Sequence, residues 1–139
     1  DAEAEVAYRR AIESGDFPAD AYCNLGILRF RDGRLVEAMN ALTMALALDP
    51  RHVEAHYNLG NFYLEKGEAR LARLHFELAL DLRPDFANTA YNLALACIVE
   101  RDAKSAVAAL ETYLELVPPE DAGKAGELLT KLRATINES

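Results

Sequence analysis

Residues 53–86 read VEAHYNLGNFYLEKGEARLARLHFELALDLRPDF. Tyr57, Leu59, Gly60, Phe62, Tyr63 and Leu64 give broad apolar coverage at helical spacing and predict a first helix. Gly67 stands where that helix would end, because glycine enters the left-handed cap conformation without a Cβ clash. Ala72, Phe76, Ala79 and Leu80 then recur at steps of three and four, the stripe of a second helix facing the first. Pro84 stops that helix, since it has no N–H to continue the ladder. The stretch is expected to fold as an antiparallel hairpin. Gly60 and Ala72 would let the two backbones approach, and Phe76 would fill the space between them.

Working outward, the same pattern recurs on both sides. Residues 19–52, 53–86 and 87–120 align without a gap at a period of 34. Asn24-Leu25-Gly26, Asn58-Leu59-Gly60 and Asn92-Leu93-Ala94 superimpose, as do Ala38, Ala72 and Ala106, then Leu42, Phe76 and Leu110. The blocks close on Leu48-Asp49-Pro50, Leu82-Arg83-Pro84 and Val117-Pro118. Residues 1–18 fit the second half of a preceding unit, with Ala4, Tyr8 and Ala11 on the corresponding sites. After Pro118-Pro119, residues 121–139 carry an apolar stripe of Ala122, Ala125, Leu129, Leu132 and Ile136. A helix covering the last hairpin is expected there, weakened by Gly123 and Gly126 at about 1 kcal/mol each.

The 34-residue period, the Leu-Gly pair of the first helix, the alanine of the second and the closing proline resemble the tetratricopeptide repeat family. The resemblance implies an all-α fold, a right-handed superhelical solenoid of antiparallel helix pairs. Residues 1–139 would form one domain: a truncated repeat, three full repeats and a C-terminal capping helix. Departures fall mostly in the third block. Tyr113 replaces the small residue seen at Ala45 and Ala79, and Arg101 replaces the turn glycine seen at Gly33 and Gly67. The aromatic usual early in the first helix is Tyr22, His56 and Ala90 here.

Bulk composition bounds the function classes. The net charge of −8 argues against a nucleic-acid partner, because phosphate contact needs clustered Lys and Arg. It suits either a partner with basic segments or simple solubility. No apolar run approaches the roughly 20 residues that span a bilayer. Cys23 and Cys97 are too few and too far apart for a disulfide framework and read as reduced thiols; the compartment stays open, with the cytoplasm slightly favoured. No phosphate loop, nucleophile elbow or zinc-type cysteine pair is present, so an enzyme is not expected, nor a cofactor or metal. His52, Glu54 and His56 only superficially suggest a metalloprotease helix, because the glutamate does not adjoin the first histidine. His75, alone among apolar neighbours, reads as structural.

In the family the first helix of each pair lines a concave surface. The resemblance thus points to Asp20, Cys23, Asn24, Ile27, Phe30 and Arg31 in the first block. In the second it points to Glu54, Tyr57, Asn58, Asn61, Leu64 and Glu65, and in the third to Asn88, Tyr91, Asn92, Leu95, Ile98 and Val99. The recurrence of Asn24, Asn58 and Asn92 is similar to the asparagine ladder of some peptide-binding members. Each amide offers an acceptor and two donor hydrogens to an extended backbone. The alternative is that asparagine is merely common at this position and stays solvated. Asn61, Ile27, Phe30, Tyr57, Tyr91 and Leu95 would supply the surrounding contacts, unless they serve partly as packing residues. Members that clamp a partner's terminal carboxylate use basic residues that are missing here: Cys23, Ile27, Asn88 and Asn92 occupy those sites and only Asn58 agrees.

Three readings follow. The leading one is a non-catalytic scaffold that binds an extended peptide or partner helix in the concave groove. A second is a self-assembly module, a homo-oligomer formed through the groove or through the N-terminal helix, whose Val6, Ala7, Tyr8 and Ile12 would be partly uncovered. The third is the recruiting segment of a larger enzyme whose catalytic domain lies elsewhere.

Overall fold

A computed structural model describes residues 2–15 and 17–138. Among them eight α-helices follow one another, with no strand. They are α1 (Ala2–Ser14), α2 (Pro18–Arg31), α3 (Leu35–Leu48), α4 (Val53–Glu65), α5 (Ala69–Leu82), α6 (Ala87–Val99), α7 (Ala103–Leu116) and α8 (Gly123–Glu138). A 3-10 turn at Pro119–Asp121 precedes the last. The helices are those the periodicity predicts, down to the stop before Pro84. No helix among the described residues is long and apolar enough to cross a membrane.

Two compact units make up the chain, Asp1–Leu59 and Gly60–Ser139. In the first, α1 packs on α2 and α2 on α3. Pro18 opens α2, where its missing N–H leaves nothing unsatisfied. Ala38, Leu42 and Ala45 of α3 are buried, together with Ala21, Cys23 and Leu28 of α2. Gly26 lets α2 approach, because a Cβ there would stand 2.8 Å from Cγ of Leu42. No residue of α1 is buried, and Val6 and Ala7 are exposed.

In the second unit α6 packs on both α5 and α7, and α7 on α8. Ala72, Phe76 and Ala79 of α5 are fully buried. The ring of Phe76 lies against Gly60, so the expected close approach is present. At the C-terminal end Ala94, Ala109, Leu110, Ala125 and Leu129 form one cluster, with Tyr91, Tyr113, Leu128 and Leu132 packed around it. Tyr113, the large residue in a small-residue position, stays half-buried beside Tyr91 and joins this cluster. The residues after Pro119 therefore form a docked cap and not a detached arm.

All three hairpin turns close alike. The sixth-to-first bond of a Schellman cap runs from Arg34 N–H to Arg29 O (2.9 Å), from Glu68 to Tyr63 (2.9 Å) and from Asp102 to Cys97 (2.9 Å). The residue before each donor is left-handed: Gly33 at φ 77°, Gly67 at φ 78° and Arg101 at φ 62°. Arg101 thus keeps the glycine's conformation with a side chain attached.

Candidate functional site

The asparagines occupy equivalent turns of α2, α4 and α6 but meet three environments. Asn24 is exposed. Asn58 is half-buried, and its Nδ2 donates to the Glu54 carbonyl at 2.7 Å on its own helix. Its side chain also hydrogen-bonds the Cys23 thiol. Asn92 donates through Nδ2 to Oδ1 of Asn61 at 2.9 Å. Asn61, accepting there, still carries two amide hydrogens to donate.

Ile27, Phe30, Tyr57, Tyr91 and Leu95 are all half-buried. They brace their helices and still offer surface. Tyr91 shows both roles: its ring lies 5.1 Å from that of Tyr113 at a tilt of 58° and packs on the cluster that holds α8. Cys23 is buried, unlike a groove residue. Burial first, and then the Glu54 and Asp20 carboxylates, push its thiol up to about 12, against the opposing Asn58 hydrogen bond. It is therefore a neutral, unreactive thiol near pH 7.

The histidines serve the backbone. His52 precedes α4 and caps it, its Nδ1 accepting the Ala55 N–H at 3.1 Å. An acceptor at Nδ1 leaves the hydrogen on Nε2, which donates to Oδ1 of Asp20 at 2.6 Å. His56 donates from Nε2 to the Pro50 carbonyl at 2.9 Å. The two rings are thus committed to separate partners. His75 stacks on Tyr63, with centroids 5.7 Å apart.

Two ionic arrangements have no counterpart in the sequence reading. Arg29 is buried on α2 and grips Glu5 of α1 with both arms, Nη1 to Oε2 at 3.1 Å and Nη2 to Oε1 at 2.7 Å. That hydrogen bonding holds Glu5 below the usual carboxylate range. Asp102 caps α7: its Oδ1 accepts Ser105 N–H at 3.1 Å and its Oδ2 accepts Ser105 Oγ at 2.7 Å. Arg73 of α5 donates to the same carboxylate at 2.9 Å. A signal for the first was available, because Arg29 aligns with Tyr63 and Cys97, where a charge stands out. A signal for the second lay in the Asp102-x-x-Ser105 spacing at a helix start.

Known proteins match this geometry. The family signature described as TPR repeat covers residues 29–67, and that described as tetratricopeptide repeat covers residues 53–86. No curated protein matches the chain. Among solved structures, YrrB, described as a TPR protein with an unusual peptide-binding site, is 27% identical with a TM-score of 0.84. That match covers 93% of this chain and 66% of the other. The first TPR of Spaghetti (RPAP3) bound to the HSP90 peptide SRMEEVD is 21% identical, with a TM-score of 0.77 over 86% of this chain and 93% of that one. The Yersinia enterocolitica type III secretion translocator chaperone SycD is 14% identical, with a TM-score of 0.77 over 85% of each chain.

Proposed function

We infer that this chain, which belongs to the tetratricopeptide repeat family, is a non-catalytic interaction scaffold that holds an extended peptide or a partner helix on α2, α4 and α6. The recurrence of Asn24, Asn58 and Asn92 at one position of three successive first helices carries the reading. Amides at a fixed interval can engage a peptide backbone, which repeats its own donors and acceptors whatever the side chains. Half-buried Ile27, Phe30, Tyr57, Tyr91 and Leu95 add apolar contact whose shape is already set by packing, so little ordering entropy opposes binding. The peptide-binding site named for YrrB, at 27% identity, supports the same use of the fold. The peptide bound to the 21%-identical Spaghetti repeat does not transfer, since that likeness concerns the fold alone. Cys23, Ile27 and Asn88 stand where a terminal carboxylate would need cations.

The test is a peptide selected on the wild-type chain from a random-sequence display library, then titrated against the Asn24/Asn58/Asn92→Ala variant. Loss of three amide contacts, at about 1 kcal/mol each, weakens binding about a hundredfold. Unchanged affinity in a variant of native circular dichroism would remove the amides from the mechanism.

A further inference from the structure

α5 turns a second apolar face outward. Leu71, Leu74 and Leu78 are 40%, 51% and 38% exposed. They lie three and four residues apart on one stripe, opposite the buried Ala72, Phe76 and Ala79. The hairpin does not demand them. Equivalent positions hold Glu37, Asn40 and Met44 in the first repeat and Ser105, Ala108 and Thr112 in the third. Leucines confined to one repeat, on a face the fold leaves open, mark a contact surface.

The charges beside the stripe are ordered. Arg70 stands at its N-terminal end and Asp81 at its C-terminal end, both exposed and on the same flank, three turns or about 16 Å apart along the helix. Arg73, the other arginine within α5, is already committed to Glu77 at 2.7 Å and Asp102 at 2.9 Å, and Arg83 just past the helix lies over the Phe86 ring at 5.2 Å. A helix that begins basic and ends acidic along one flank complements itself when a copy is laid antiparallel. A two-fold axis level with residue 76 sets Leu74 against Leu78 and brings Arg70 beside Asp81 across the contact, twice by symmetry. Parallel pairing would put the charged flanks of the two copies on opposite sides and leave Arg70 and Asp81 without each other.

We propose that α5 is a self-association surface: two copies of this chain pair through antiparallel α5 helices, with Leu74 of each on Leu78 of the other and Arg70 of each facing Asp81 of the other. This contact uses neither the asparagine-bearing helices nor the exposed residues of α1, so it stands or falls separately from peptide binding.

Sedimentation velocity on the purified chain, at low and high micromolar concentration, tests it. The wild type sediments as a dimer at the higher concentration, and Leu74→Gln as a monomer with unchanged helical circular dichroism. Arg70→Asp or Asp81→Arg alone turns two attractions into two like-charge contacts and weakens the dimer about tenfold. The double variant Arg70→Asp/Asp81→Arg returns to the wild-type dissociation constant. If Leu74→Gln does not fold, the charge variants, both at exposed sites, decide. A monomer at every concentration overturns the proposal, as does a dimer indifferent to Leu74→Gln or a double variant no tighter than the single ones. A dimer abolished by Val6→Glu on α1, with the α5 variants unaffected, also overturns it.

Discussion

Hairpins α4–α5 and α6–α7 share a turn and a register yet fill their tight places differently. In the first, Gly60 lies under the ring of Phe76, and a Cβ on residue 60 would stand 2.5 Å from Cδ1 of that ring. In the second, Ala94 occupies the glycine's place, fully buried, with Leu110 in place of the phenylalanine. A ring with no methyl, or a methyl with a smaller side chain, gives the two helices room to meet. Between these two hairpins the joint volume of the pair is kept and not either residue, whereas the α2–α3 hairpin closes further, with Gly26 against Leu42. The turn shows the opposite behaviour. Its left-handed residue is fixed in geometry, so Arg101 bears at φ 62° the strain that Gly67 avoids at φ 78°. Buried polarity differs as well. Thr89 Oγ1 has no hydrogen-bond partner among the described residues, whereas Ala21 and Ala55 stand at the equivalent buried positions.

This contrast can be broken most sharply at the helix crossing. Gly60→Ala should cost about 3 kcal/mol by overpacking against the ring. Ala94→Gly should cost only about 1 kcal/mol, through helix propensity. Adding Phe76→Leu to Gly60→Ala recreates the third repeat's pair and should restore most of the loss, as read from urea midpoints. A neutral Gly60→Ala would refute the volume argument. At the turn, Arg101→Gly should raise stability by about 1 kcal/mol by relieving the positive φ, visible as a higher midpoint at unchanged slope. Thr89→Val, which keeps the shape and removes the unpaired hydroxyl, should gain about 1 kcal/mol in the same assay. A loss at Thr89→Val would mean that the hydroxyl has a partner in solution.

The mildest effect concerns pH. Ser105's hydroxyl, then its N–H, then Arg73 hold the Asp102 carboxyl down at about 2, from an ordinary 3.8. Because the folded value is depressed, the group's contribution is complete above the unfolded value and fades as pH falls through about 2. A carboxyl ¹³C titration should show Asp102 still ionised at pH 3, where an unperturbed aspartate is mostly protonated. Asp102→Asn should remove that signature while leaving α7 helical.

The architecture was legible because it rests on local regularities repeated at a fixed interval. Glycine at 33 and 67, alanine at 38, 72 and 106 and proline at 50 and 84 each act through the residues next to them. The capping helix was legible for the same reason, through the stripe from Ala122 to Ile136. Lateral partnerships were not. Glu5 and Arg29 are joined only because α1 packs on α2, and Arg73 reaches Asp102 only because α6 packs on both α5 and α7. Rotamer choice escaped too. The recurrence of the three asparagines could be read off the chain, but not that Asn58 would turn toward the Glu54 carbonyl while Asn92 reached for Asn61. The half-buried aromatics lie between these cases, since spacing put them on a helix face without saying how deep they would sit.

Peptide binding on the first helices requires that α2, α4 and α6 be the face that a partner touches. The direct measurement is a ¹H–¹⁵N spectrum of the chain recorded while a display-selected peptide is added, following the side-chain NH₂ pairs of Asn24, Asn58 and Asn92. All three pairs are expected to move together and saturate at one dissociation constant, with backbone shifts concentrated in α2, α4 and α6. Stationary asparagine pairs, with the shifts confined to α3, α5 and α7, would contradict binding on that face.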